Sequence, residues 1–128
     1  MKPYTQRSEL NLKRATLYNK DYVRKKFKEV GFEIAMNKVE SEVCSFYYLK
    51  PFQLQIITKK REIVLARQIC HKISKVLLPS VSNERIGKRF GDLDHATVGH
   101  SISQIENLIE YDKKFAEDYK KIEERILA

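Results

Sequence analysis

Asp94, His95, Thr97 and His100 place a carboxylate, two imidazoles and a hydroxyl within seven consecutive residues, with Ala96, Val98 and Gly99 between them. Groups of this kind can hold a metal, form part of a catalytic set, or hydrogen-bond a ligand. Metal binding fits poorly. His95 and His100 are five apart, so on a helix they point about 140° away from each other. Cys70-His71 has no partner pair at ligand spacing. No Ser/His/Asp set is recognisable, and there is no Gly-x-x-x-x-Gly-Lys-Ser/Thr loop. No catalytic residue, metal, cofactor or small-molecule substrate is therefore expected.

Base-edge recognition suits these residues better. A carboxylate at Asp94 can accept from the exocyclic amine of cytosine, and His95 can bond a purine edge. Ala96 and the methyl of Thr97 suit thymine methyl groups, and His100 lies further along the same segment. Each residue also has a plainer reading. Asp94 can be only a helix cap, and His95 and His100 can be ordinary surface residues. Gly99 inside a helix costs ~1 kcal/mol relative to alanine; it either permits a close backbone approach or is merely tolerated. Lys59, Lys60, Arg61, Arg67, Lys88 and Arg89 are candidates for phosphate contacts, which orient a protein on a duplex without choosing bases. Any one of the lysines can equally be a solvated charge.

The elements that must position these groups are legible from spacing. Ile86 and Phe90, four apart, face one core, and Gly91 can take the positive φ that ends a helix. Asp92 or Asp94 can cap the helix that follows. From Val98, the residues Ile102, Ile105, Leu108 and Ile109 recur at spacings of three and four and form one apolar stripe. That stripe leaves His95, Ala96, Thr97, Gly99 and His100 near the opposite, amino-terminal side. Such a helix, anchored from behind and polar at its leading end, is what a major-groove reader needs.

Upstream, the spacing predicts a helix over 62–78, with Ile63, Ala66, Ile69, Cys70, Ile73 and Leu77 inward and Arg67, Lys72 and Lys75 outward. Ser82 is the cap expected for the helix that holds Ile86, with Glu84 in its first turn. Residues 32–48 show a weaker helical period through Ile34, Val39, Val43, Phe46 and Tyr47, and Pro51 interrupts it. Phe52, Leu54 and Ile56 alternate with Gln53 and Gln55, a strand-like pattern. Phe115, Tyr119, Ile122 and Ile126 mark a closing helix. At the start, residues 1–15 are polar and basic without a steady period. Residues 17–30 read as an amphipathic basic helix that Gly31 ends, with Arg24, Lys25, Lys26 and Lys28 making a cationic turn.

The 128 residues suit one domain with an appended segment. The net charge of +8 is uneven. Residues 1–60 carry 13 basic against 6 acidic side chains, residues 61–100 carry 7 against 4, and residues 101–128 carry 5 against 7. A basic field attracts polyanions without choosing among duplex, RNA and anionic membrane. Cys44 and Cys70 fall on positions consistent with buried helix faces and are too few for a disulfide scaffold. Met1-Lys-Pro-Tyr lacks the apolar run of a signal peptide, and no apolar segment approaches a membrane span. A cytoplasmic protein is expected.

A family resemblance gathers these signals. Ile86-Gly-x-x-Phe90-Gly91, Asp94-His-Ala-Thr-Val98 and His100-Ser101-x-x-x-Ile105 resemble the origin-box-binding domain of the bacterial replication initiator DnaA. The family's pattern there is Ile-Gly-x-x-Phe-Gly-x-Arg-Asp-His-Thr-Thr-Val-x-His-Ala. Arg61-Glu-Ile-Val-Leu-Ala-Arg-Gln-Ile69 resembles the helix that opens that domain, and Asp112-x-x-Phe115 with Ile122 and Ile126 its closing helix. Two departures stand out: Leu93 replaces an arginine, and Ala96 replaces the first of two threonines. Leucine can neither read guanine nor clamp a phosphate.

The resemblance, over roughly residues 39–126, implies an all-α, Trp-repressor-like helical bundle containing a helix-turn-helix, behind the basic helical amino-terminal extension read above. It also favours helix with a short break over the region of Phe52, Leu54 and Ile56, in place of a strand. The DNA-binding domain is accordingly expected over residues 32–128, behind an extension over 1–31 open to a protein partner. The resemblance implies double-stranded DNA as the ligand, with Asp94–His100 in the major groove, Lys59–Arg61 near the minor groove, and Arg67 on a phosphate through the matched Ala-Arg-Gln run. The chain has no room or motif for the initiator's ATPase module, so a regulator or accessory binder is expected rather than a complete initiator. Two other classes stay open at this point: an RNA-binding protein using the same basic surface, and a protein-interaction module.

Overall fold

The computed structural model describes residues 21–127 apart from Val23, and its described residues form helices without a strand. The basic amino-terminal stretch over 1–20 lies outside them, as do the expectations made for it. Helix α1 is described over residues 24–30. Gly31 follows at φ 96°, and its N–H still bonds the Phe27 carbonyl at 3.1 Å. A side chain at that φ would be strained, so glycine allows the chain to turn directly into the next helix. Arg24 Nε donates to the Val76 carbonyl at 2.9 Å, and Phe27 packs on the core, tying α1 to the bundle.

Helix α2 (Phe32–Tyr47) buries Ala35, Met36, Val39, Val43 and Cys44. Val39 and Val43 were expected inside. Ile34 was too, but it is 59% exposed, because the inward stripe begins one residue later at Ala35 and Met36. Tyr48 stops the helix in the left-handed region at φ 56°. Pro51 then opens a 3₁₀ turn over Pro51–Gln55, with the Gln53 side chain accepting from the Lys50 N–H at 2.8 Å. The alternation of Phe52, Leu54 and Ile56 therefore marks no strand. Only Leu54 is buried, and the described residues offer no strand edge for pairing.

Helix α3 (Arg61–Leu77) is the central member, touching α2, the 3₁₀ turn and the two helices that follow. Its inward face is Ile63, Ala66, Ile69, Cys70, Ile73 and Leu77, as the spacing predicts. Helix α4 (Asn83–Arg89) is short. Its cap is Ser82, whose Oγ accepts from the Arg85 N–H at 3.2 Å. Helix α5 (His95–Tyr111) buries Val98, Ser101 and Ile105, with Ile102, Leu108 and Ile109 half-buried beside them. Helix α6 (Lys113–Leu127) buries Phe115, Tyr119, Ile122 and Ile126 against α2 and α5. Fully burying each large aliphatic or aromatic side chain is worth about 1.5–3 kcal/mol. The shared core of Met36, Leu54, Ile69, Ile86, Phe90 and Ile105 thus fixes α5 firmly from behind. Both cysteines are buried and free, and burial pushes the thiol of Cys44 up to about 11.

Candidate nucleic-acid interface

The unit α4–turn–α5 is a helix-turn-helix, and its turn is set by two glycines. Gly91 at φ 98° and Asp92 at φ 53° take consecutive left-handed conformations, which glycine adopts freely and aspartate more readily than most residues. Leu93 N–H then bonds back to the Gly87 carbonyl at 3.0 Å. A methyl group built on Gly87 would stand 2.1 Å from the Leu93 carbonyl oxygen and 2.9 Å from Val98 Cγ2. Glycine at 87 is thus what lets α5 start this close to α4. Residue spacing marks Gly91 as the end of α4 but carries no sign of the part Gly87 plays.

The Asp94 carboxylate caps α5, with Oδ1 accepting from the Thr97 N–H at 2.8 Å. That bond holds the carboxyl below its usual range. His95, Ala96, Thr97 and His100 are exposed, as is Asp94, while Val98 and Ser101 beside them are buried. The amino-terminal face of α5 is therefore presented outward on a pinned helix. Gly99 is roomy: an added methyl would meet only Asn83 Nδ2, at 3.9 Å.

Lys59, Lys60 and Arg61 are exposed, directly ahead of α3. Lys59 and Arg61 border a cleft of about 220 Å³ completed by Val64, Leu65, Gln68, Gln104 and Leu108. Gln104 is seven residues beyond Thr97 on α5, so the two lie within about 20° on the helix surface. The basic step therefore lies on the same side of α5 as Thr97, about 10 Å further along the helix. Lys88 is exposed on α4, with Glu84 3.4 Å away.

Two of the candidate phosphate contacts stand elsewhere. Arg67 is not on an outward face but 8% exposed, its Nε donating to the Leu54 carbonyl at 2.8 Å and its Nη2 to the Ile56 carbonyl at 2.6 Å. The 3₁₀ turn leaves those carbonyls without helical partners, and a long guanidinium reaches both. Burial lowers the Arg67 pKa. Arg89 is also turned inward. It pairs with Glu40 at 2.8 Å, bonds Asn37 at 2.9 Å and stands 3.8 Å from Glu33. The bond to Glu40 raises its pKa. Lys72 and Lys75, expected outward, are half-buried and engaged with Glu106 and the Val81 carbonyl.

Residues that sequence reasoning missed hold the turn from below. Gln55 accepts from the Gly91 N–H at 3.0 Å and donates to the Arg89 carbonyl at 3.0 Å. His71 Nε2 stands 2.9 Å from the Phe90 carbonyl. A carbonyl only accepts, so Nε2 carries a proton, and the buried Nδ1, which has no partner, favours the neutral ring. Burial lowers the His71 pKa to about 4. No local pattern marks Gln55 or His71, since each finds its partner far along the chain.

Among the described residues, no group of three or more His, Cys, Asp or Glu side chains is placed to hold a metal. No described helix is long and apolar enough to cross a membrane. The family model for the bacterial DnaA protein helix-turn-helix matches residues 36–105, from early α2 into α5. The chain is similar to the chromosomal replication initiator protein DnaA of Flavobacterium psychrophilum, 36% identical over 109 residues, which are 84% of this chain and 23% of that protein. It is also similar to DnaA of Rickettsia canadensis, 34% identical over 112 residues, 87% of this chain and 24% of that protein. The chain thus spans about a quarter of the length of these relatives. No solved structure matches it. With the family model covering more than half its residues and the turn geometry in agreement, the chain belongs to the bacterial DnaA helix-turn-helix family of double-stranded-DNA-binding domains.

Proposed function

We propose that this domain selects a duplex sequence by placing the amino-terminal face of α5 in the major groove and the Lys59–Arg61 step in the adjoining minor groove. The observation that carries this reading is the outward presentation of Asp94, His95, Ala96 and Thr97 on a helix whose opposite side is buried. Asp94, His95, Ala96, Thr97 and His100 supply the base contacts. Lys59, Lys60, Arg61 and Lys88 supply backbone and minor-groove contacts. Arg67 and Arg89 are not among them, because their guanidinium groups already have internal partners. Leu93 leaves a base or phosphate unread where the family pattern has an arginine, so the preferred site differs from the initiator's usual box. The DNA-binding unit is residues 32–128, with residues 1–31 a basic extension available to a protein partner. The domain acts in the cytoplasm, as the duplex-binding unit.

Selection of bound duplexes from a random pool tests this, repeated with His95→Ala and Lys59→Ala. An enriched motif is expected. His95→Ala should relax one position of it, whereas loss of a backbone contact weakens all sequences about equally. Lys59 in the minor groove should show the second behaviour, with some loss of A·T preference. Equal affinity for structured RNA, with no motif enriched, would overturn the reading.

A further inference from the structure

The 3₁₀ turn Pro51–Gln55 bonds the reading turn and leads along the chain into the basic step. Its last residue bonds the peptide groups on either side of Phe90, at the start of the helix-turn-helix turn. Four residues beyond it in the chain begins Lys59–Arg61. Arg67 closes the arrangement, for its guanidinium holds the carbonyls of Leu54 and Ile56, the two neighbours of Gln55. Gly91 is what lets Arg67 pass beneath the turn: a methyl there would lie 2.7 Å from Arg67 Cδ and 2.8 Å from Nε. Four hydrogen bonds from two side chains thus connect the reading turn, the 3₁₀ turn and the root of the basic step.

We propose that Gln55 and Arg67 are positioning residues that fix the reading helix relative to the basic step, so that both grooves are engaged in one register. This rests on the duplex-reading mode above. Gln55 touches no base in this scheme. Its contribution is to hold two DNA-contacting regions at one separation, so that neither must be ordered upon binding. Losing such register costs specific binding, which needs both grooves at once. It leaves loose phosphate attraction nearly unchanged.

The test uses the full chain with Gln55→Ala and Gln55→Glu. Gln55 sits on an exposed turn, so neither change empties the core. In the free protein, Gln55→Ala should speed hydrogen exchange of the Gly91 amide and shift the amide resonances of residues 91–97. With two hydrogen bonds removed, affinity for the selected duplex should fall about tenfold, and affinity for a random duplex less than about threefold. Gln55→Glu keeps the acceptor for the Gly91 N–H and loses the donor to the Arg89 carbonyl, so it should fall between. Combining Gln55→Ala with Lys59→Ala should cost less than the two changes added, since both act through one register.

Unchanged Gly91 exchange, or equal loss on selected and random duplex, overturns the proposal. Strictly additive effects of Gln55→Ala and Lys59→Ala overturn it as well. If the wild-type chain enriches no duplex motif, the duplex-reading mode fails. The exchange measurement then still decides whether Gln55 holds the turn.

Discussion

His71 Nε2 donates to the Phe90 carbonyl at 2.9 Å, joining the middle of the buried α3 to the residue at which α4 gives way to the reading turn. His71 is fully buried, and its Nδ1 has no hydrogen-bond partner. A neutral imidazole can sit there, whereas an imidazolium would have to lose its hydration beside Arg67.

This makes the fold acid-sensitive at one place. The folded pKa of about 4 lies below the ordinary 6.5, so the neutral ring contributes its stability in full above about pH 6.5. That contribution falls as pH drops from 6.5 towards 4, by about 3 kcal/mol across the window. Urea denaturation at pH 7 and pH 4.5 should show the drop. His71→Gln should be less stable at pH 7 and much flatter in pH. An equal acid loss in His71→Gln would place the sensitivity elsewhere.

The glycines separate packing from DNA contact. Gly87→Ala drives a methyl into the Leu93 carbonyl and should destabilise by about 2 kcal/mol or more, through displacement of the turn. Gly99→Ala meets no crowding and removes a helix-interior glycine, so thermal denaturation should show a gain of about 0.5–1 kcal/mol. Duplex affinity of that same variant resolves the role of Gly99. A stable Gly99→Ala protein that binds weakly means the α5 backbone itself lies against the DNA.

Salt dependence sorts the basic side chains. With Lys59, Lys60, Arg61 and Lys88 each neutralising one phosphate charge, from the minor groove or along the backbone, log affinity should fall against log salt with a slope of roughly −3.6, and each single alanine change should reduce that slope by about 0.9. Arg89→Ala should leave the slope near the wild-type value and lower stability by about 1–3 kcal/mol, because Glu40 loses its partner in a half-buried setting. Arg67→Ala should also spare the slope while weakening selection among sequences. A full unit lost from the slope with either arginine would return that side chain to the DNA.

The helices and the reading face were written into local spacing. Val98 through Ile109, Ile63 through Leu77 and Phe115 through Ile126 each carry a helical period, and burial of an apolar stripe depends on little else. Ser82 and Asp94 were legible for a similar reason, because a cap acts within three residues of itself. With these came the exposed cluster His95–Thr97, which follows directly from knowing which side of α5 is apolar. Tertiary structure alone decided the fate of Arg67, Arg89, Gln55 and His71. Their hydrogen-bond partners lie 11–52 residues away, and a charge or amide has no period that reveals whether it faces water or a stray carbonyl. Apolar patterning determines which face is covered. Only the assembled backbone determines where unpaired carbonyls and carboxylates are left over: carbonyls of the 3₁₀ segment drew Arg67 inward, and side chains of α2 drew Arg89.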